Sequence, residues 1–177
     1  PSLSVQRVMQ RPVAPQVVFI HLPKTGGISL QTAITALLPP GRALRIGDEG
    51  ERAAFLAEDR GVLDRYSFIG GHVGLAEALP RARAEARFVT LLRDPVARLL
   101  SAFNYMATWK DHPLHGEFRD LGFADFIEGS GARLAGEACR QLTGAATAAE
   151  AIPILEARYA MVVTTPKLPV LGQAVSG

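Results

Sequence analysis

Four short apolar runs, separated by stretches of helical periodicity, set the first expectation for this chain. They are Val17-Val18-Phe19-Ile20-His21-Leu22, Tyr66-Ser67-Phe68-Ile69 ending at Gly70-Gly71, Arg87-Phe88-Val89-Thr90-Leu91-Leu92, and a weaker Ala160-Met161-Val162-Val163-Thr164. Each has the length and the β-branched or aromatic content of a strand. Their near-continuous apolarity, in place of strict alternation, predicts a parallel sheet covered on both faces. After the first run, Leu30, Ile34, Leu37 and Leu38 keep the spacing of one helix face, and Pro39-Pro40-Gly41 stops that helix. After the third, Asp94-Pro95 reads as an N-cap followed by proline at the first helical position, with Val96, Leu99, Leu100 and Phe103 at helical spacing. Further helices are expected over 53–58, 123–128, 132–142 and 147–158, the last with Pro153 in its interior.

The alternation of strand and helix points to a single α/β domain over 1–177, three layers deep, with a central parallel sheet flanked by helices. In such sheets ligands bind beyond the carboxyl ends of the strands. The segments around Lys24, His72 and Arg93 each follow the end of an expected strand. They are therefore expected to meet in one site.

The first of these segments carries the clearest chemistry. Strand, then Pro23-Lys24-Thr25-Gly26-Gly27, then an amphipathic helix is the layout of an anion cradle. Glycines let the backbone approach a ligand closely, and a helix N-terminus offers unpaired N–H groups and partial positive charge. Lys24 adds a full charge, and Thr25 and Ser29 add hydroxyls. The lysine precedes the glycines, unlike the ATP-binding pattern G-x-x-x-x-G-K-[ST], which disfavours an ATP-dependent phosphotransferase. In the Arg93 segment, a planar guanidinium suits a phosphate dianion, and Ser101 lies about two turns into the helix on a side that can face the same ligand.

Composition narrows the partners. The chain has 177 residues, 48% hydrophobic and 20% charged, the proportions of a globular domain able to bury a core of its own. The net charge is +2 with no long Lys/Arg run, so a small anion fits better than nucleic acid. No run of about 18 apolar residues is present to span a membrane, and residues 1–4 lack the pattern of a signal peptide. The single cysteine, Cys139, cannot form an internal disulfide and suits a reducing compartment, so a cytoplasmic location is expected.

Phe19-Ile20-His21-Leu22-Pro23-Lys24-Thr25-Gly26-Gly27-Ile28-Ser29-Leu30 resembles the 5′-phosphosulfate loop of the sulfotransferases that use the sulfuryl donor PAPS, in the branch that includes carbohydrate sulfotransferases. Leu92-Arg93-Asp94-Pro95-Val96-Ala97-Arg98-Leu99-Leu100-Ser101 is similar to that family's 3′-phosphate motif, in which the arginine and the serine hold the 3′-phosphate. Gly71-His72-Val73 stands where this branch often carries its general base, and 137–144 looks loosely like a helix lining the acceptor cleft. The resemblance implies a P-loop-like domain with PAPS as donor and PAP as product, held by residues 24–30, Arg93 and Ser101. It implies a hydroxyl acceptor, small or carbohydrate, with Lys24 and His72 as the catalytic pair. The family usually has a hydroxyl residue where Ile28 stands. It also continues with helices and a closing loop where this chain runs from Thr164-Thr165 into Pro166-Lys167 and a Pro/Gly-containing tail. Those two departures motivate the rival reading, a non-catalytic PAP-binding remnant.

Chemistry agrees with the implied roles. Sulfuryl transfer builds charge on the leaving phosphate oxygen while the acceptor hydroxyl loses a proton, so it needs a cation on one side and a base on the other. His21, just before the loop, reads as a packed strand residue able to orient it. His112 and His115, in His-x-x-His on an expected loop, lack further ligands at metal spacing, and no metal is expected. The stretch 109–116 reads as an acceptor-side loop.

Overall fold

The computed structural model describes residues 15–165. The features read at 1–4 and from Pro166 onward lie outside them. Five parallel strands form one sheet: β1 (Val17–Ile20), β2 (Ala43–Ile46), β3 (Phe68–Gly71), β4 (Arg87–Leu92) and β5 (Tyr159–Thr164), in the order β2-β3-β1-β4-β5. The α/β class is as expected. β4 has the bounds read from sequence, and β3 runs two residues later, through both glycines. β2 had no counterpart in the sequence reading. It is a four-residue edge strand whose Arg45 is exposed, too short and too polar to register as an apolar run.

Helices cover both faces. On one side α1 (Gly27–Leu37) packs Leu30, Ile34 and Leu38 against Phe19, Phe68 and Leu91. Leu37, expected on that stripe, is exposed instead. On the other side α2 (Glu49–Ala57), α3 (Arg60–Leu63) and α4 (Leu75–Ala78) close over Val18, Ile20 and Ile69. They are joined there by α8 (Ala132–Thr143) and α9 (Ala148–Arg158), which runs through Pro153. Gln16 bolts this layer: its amide donates to Leu63 O and Tyr66 O and accepts from the Arg83 N–H, which satisfies a fully buried polar group.

α5 (Pro95–Thr108) leaves the end of β4, with the Asp94 carboxylate accepting from Ala97 N as its cap. It leads to α6 (His115–Phe118), α7 (Phe123–Phe126) and a π-helical turn at Ile127–Gly131. Phe103 packs with Phe123 and Phe126, as its helical spacing implied, but Val96 and Leu100 face solvent. Among the described residues no helix is long and apolar enough to cross a membrane.

β1 and β4 are neighbours whose connections depart to opposite sides of the sheet, β1 toward β2 and β4 toward β5. Such a switch opens a crevice at the carboxyl ends of the two strands. The first and third sequence motifs sit in that crevice.

Candidate functional site

The turn after β1 is shaped by backbone. Lys24 has φ 68° and Gly26 φ 88°, both left-handed, and Lys24 alone among the described non-glycine residues has a positive φ. A long side chain held in that region marks strain of the kind that collects at ligand sites. Gly27 opens α1 where no Cβ fits: one built there falls 2.2 Å from His21 Cδ2. The Thr25 hydroxyl is buried and donates to Leu22 O at 2.8 Å, so it closes the turn internally. Leu30 points into the core beneath α1.

His21 holds the turn from below. It is 3% exposed, stacked between Phe19 at 5.5 Å and His72 at 4.5 Å. Gln31 Nε2 donates to its Nδ1 at 3.1 Å, which puts the ring proton on Nε2. Burial, then the nearby His72 and Arg45 charges, push its pKa down to about 4, so His21 stays neutral at ordinary pH. The expectation of a packed, loop-orienting histidine fits this environment.

His72 is half-buried at the end of β3. Its Nδ1 lies 3.2 Å from His21 O. A carbonyl only accepts, so Nδ1 carries a proton, and the neutral tautomer this selects has its lone pair on Nε2. The same carbonyl accepts from Gln141 Nε2 at 3.0 Å, which ties α8 to the two histidines.

Lys24, Gly26, Gly27, Ile28, Ser29, His72, Arg93 and Ser101 line one cavity of about 470 Å³, together with His21, Pro23 and Tyr105. Of the catalytic and donor-binding residues expected from sequence, only Thr25 and Leu30 do not line it. Among the described residues no carboxylate borders the cavity, while the cationic side chains of Lys24 and Arg93 do. Burial and the Arg93 charge lower the Lys24 pKa. Like charges brought together around an empty space create a place for an anion. Lys24 Nζ sits 3.9 Å over the Tyr105 ring, a cation–π contact at the mouth. Arg93 does not pair with Asp94. Its Nη1 donates to Lys24 O at 3.2 Å and links the turn after β4 to the turn after β1. Ile28 is 65% exposed.

Two participants carried no readable sequence signal as site residues, Tyr105 and Thr165; Gln141 lies in the stretch 137–144 that resembles an acceptor-cleft helix, but its tie to His21 was not legible. The Thr165 hydroxyl is shared between Thr25 O at 2.9 Å and Leu92 O at 3.0 Å, so the chain after β5 clips both turns. His112 and His115 do not converge as metal ligands. His112 packs its ring on Tyr105 and Trp109 and accepts from Leu114 N. Among the described residues no group of three His, Cys, Asp or Glu is placed to hold a metal ion.

No protein-family model matches the chain, and no curated protein matches it. Among solved structures, the crystal structure of mouse sulfotransferase SULT7A1 complexed with PAP aligns with a TM-score of 0.41 at 15% identity, over 66% of this chain and 40% of that one. This chain thus spans less than half the length of that protein. So distant a likeness carries no weight of its own. The fold is established by the sheet itself, an α/β domain of five parallel strands flanked by helices. Any function must be argued from the cavity.

Proposed function

We propose that this domain is a PAPS-dependent sulfotransferase acting on a hydroxyl acceptor, of the carbohydrate type that its motifs resemble. The observation that carries the reading is the single cavity bordered by Lys24, Arg93, Ser101, the start of α1 and His72, with cations and, among the described residues, no carboxylate. The N–H groups at the start of α1, with Lys24, suit the 5′-phosphosulfate. Arg93 and Ser101 suit the 3′-phosphate that sets PAP apart from AMP. In the transfer, the acceptor oxygen forms a bond to sulfur as the bond from sulfur to the leaving phosphate oxygen breaks. The acceptor proton passes to His72 Nε2. Lys24 offsets the charge that grows on the leaving oxygen, an interaction stronger in the transition state than before it. The single cysteine, Cys139, supports work in a reducing compartment such as the cytoplasm.

The test separates chemistry from binding. A positioned base contributes on the order of 10²–10⁴ in rate. His72→Ala is expected to lose that much transfer from labelled PAPS while PAP affinity, measured by calorimetry, is nearly unchanged. Wild-type transfer rates in folded His72→Ala reject His72 as the base. Tight PAP binding by the wild type with no transfer to any hydroxyl supports the non-catalytic remnant, for which exposed Ile28 in place of a hydroxyl is the specific observation.

A further inference from the structure

A second cavity, of about 480 Å³, adjoins the first and shares Pro23 and His72 with it. Its other walls come from α2, from α4 with the turn before it, and from α8. Arg52 stands on the first, Glu77 on the second, and Glu137, Arg140 and Gln141 on the third. Nothing in the donor reading uses these residues.

The wall has a definite chemistry. It holds two guanidiniums and two carboxylates, so its formal charges cancel, in contrast with the cationic first cavity. Several of these groups are fixed. Arg52 forms ion pairs with Glu77 and Glu49, and Glu77 also accepts from Gly74 N at 2.8 Å. Glu137 lies 3.6 Å from Arg98, whose guanidinium is buried. Gln141 is held on His21 O and Val73 O. Among the described residues no aromatic ring lines the space except the imidazole of His72. Such a wall offers fixed donors and acceptors side by side, which suits hydroxyls because each can both donate and accept. It has no net charge to attract a polyanion and no flat apolar slot for a phenol.

We infer that this second cavity is the acceptor site, and that it takes a neutral, hydroxyl-rich molecule such as an uncharged saccharide. The inference rests on the sulfotransferase reading. With the donor in the first cavity, the attacking hydroxyl must arrive on the side away from the leaving phosphate. His72 stands on the border of the two spaces and is placed to take the proton from a hydroxyl presented there.

Ala76 allows the site to be closed without touching the donor cavity. It lies on α4, is exposed, and lines only the second space. Ala76→Phe is expected to lower kcat/KM at least tenfold, mainly through KM, with PAP affinity within twofold of wild type. Ala76→Leu, a smaller plug, should act in the same direction and stands in if the first variant fails to bind PAP. The wild-type full chain with labelled PAPS on an array of neutral and anionic glycans, with 4-nitrophenol alongside, should label neutral glycans at least tenfold better. Failure of the wild type to bind PAP overturns the sulfotransferase reading itself. PAP binding with no transfer to any acceptor overturns the sulfotransferase reading too, in favour of the remnant. Where PAP binds and some acceptor is labelled, three results overturn the acceptor assignment alone: label on other acceptors but on no neutral glycan, preference for anionic glycans or 4-nitrophenol, or undiminished transfer in both Ala76 variants.

Discussion

The turn after β1 meets the cavity mostly with backbone, whereas the turn after β4 meets it with side chains. In the first, left-handed Lys24 and Gly26 and the missing Cβ of Gly27 bring main-chain N–H groups to the surface over a buried, stacked His21. In the second, Arg93 and Ser101 project from a strand end and a helix capped in the ordinary way by Asp94. Both serve one cavity, but they differ in tolerance. A backbone cradle depends on what does not fit, so a single methyl group damages it. A side-chain clamp loses only what its own atoms contribute.

The largest effect follows from that difference. Gly27→Ala places a Cβ 2.2 Å from His21 Cδ2 and 2.4 Å from its Nε2. The ring has nowhere to retreat, because Phe19 and His72 stack on its faces and Gln31 holds its edge. The substitution should cost about 3 kcal/mol, the upper end of the usual overpacking range, and weaken PAP binding as well. Urea denaturation gives the first quantity and calorimetry the second. Wild-type stability in this variant would show that the cradle adapts, and the contrast between the turns would fail.

A smaller effect reads the same cradle through protons. His21 titrates at about 4 in the folded chain against 6.5 when unperturbed. As pH falls below 6.5 the unfolded chain takes up a proton that the folded one refuses until about 4. The stability from keeping His21 neutral is therefore complete above pH 6.5 and is lost as pH falls toward 4. Between pH 7 and pH 5 the loss should be about 2 kcal/mol. His21→Phe, which keeps a stacked ring without the titration, should flatten that part of the stability curve. An unchanged curve in the variant would place the acid sensitivity elsewhere.

The same contrast explains what the sequence disclosed. Lys24, Gly26 and Gly27 were legible because a strand, a glycine pair and a helix lie in one short stretch, and Arg93 with Ser101 because a capped helix fixes their spacing. The contacts that join these pieces were not legible. Thr165 reaches Thr25 across 140 positions, and Gln141 reaches His21 across 120. No local pattern encodes such a contact. β4 and β1 announced themselves as apolar runs because both are buried between neighbours in the sheet, whereas β2 sits at an edge with Arg45 outward. Leu37, Val96 and Leu100 were misplaced for a related reason. An apolar stripe gives the direction of a helix's buried face but not its width, which depends on how much sheet lies beneath.

The smallest effect belongs to the turn after β4. Arg93 is half-buried and its Nη1 donates to Lys24 O, so the guanidinium both braces the first turn and directs charge into the cavity. A hydrogen bond to a charged group contributes about 1.5–3 kcal/mol, and partial exposure favours the lower end, roughly tenfold in affinity. Wild type should therefore prefer PAP over AMP by about that factor, and Arg93→Ala should lose most of the preference. Arg93→Lys keeps the charge but not the planar fork, so it should fall between the two. Because no buried ring is displaced, Arg93→Ala should unfold in urea within about 0.5 kcal/mol of wild type, the range of an ordinary surface substitution. A preference lost with stability kept is the signature of a side-chain clamp. Equal binding of PAP and AMP by the wild type would remove Arg93 and Ser101 from the 3′-phosphate. A large loss of stability in Arg93→Ala would instead make its bond to Lys24 O part of the cradle, and the two turns would then have to be treated as one structure.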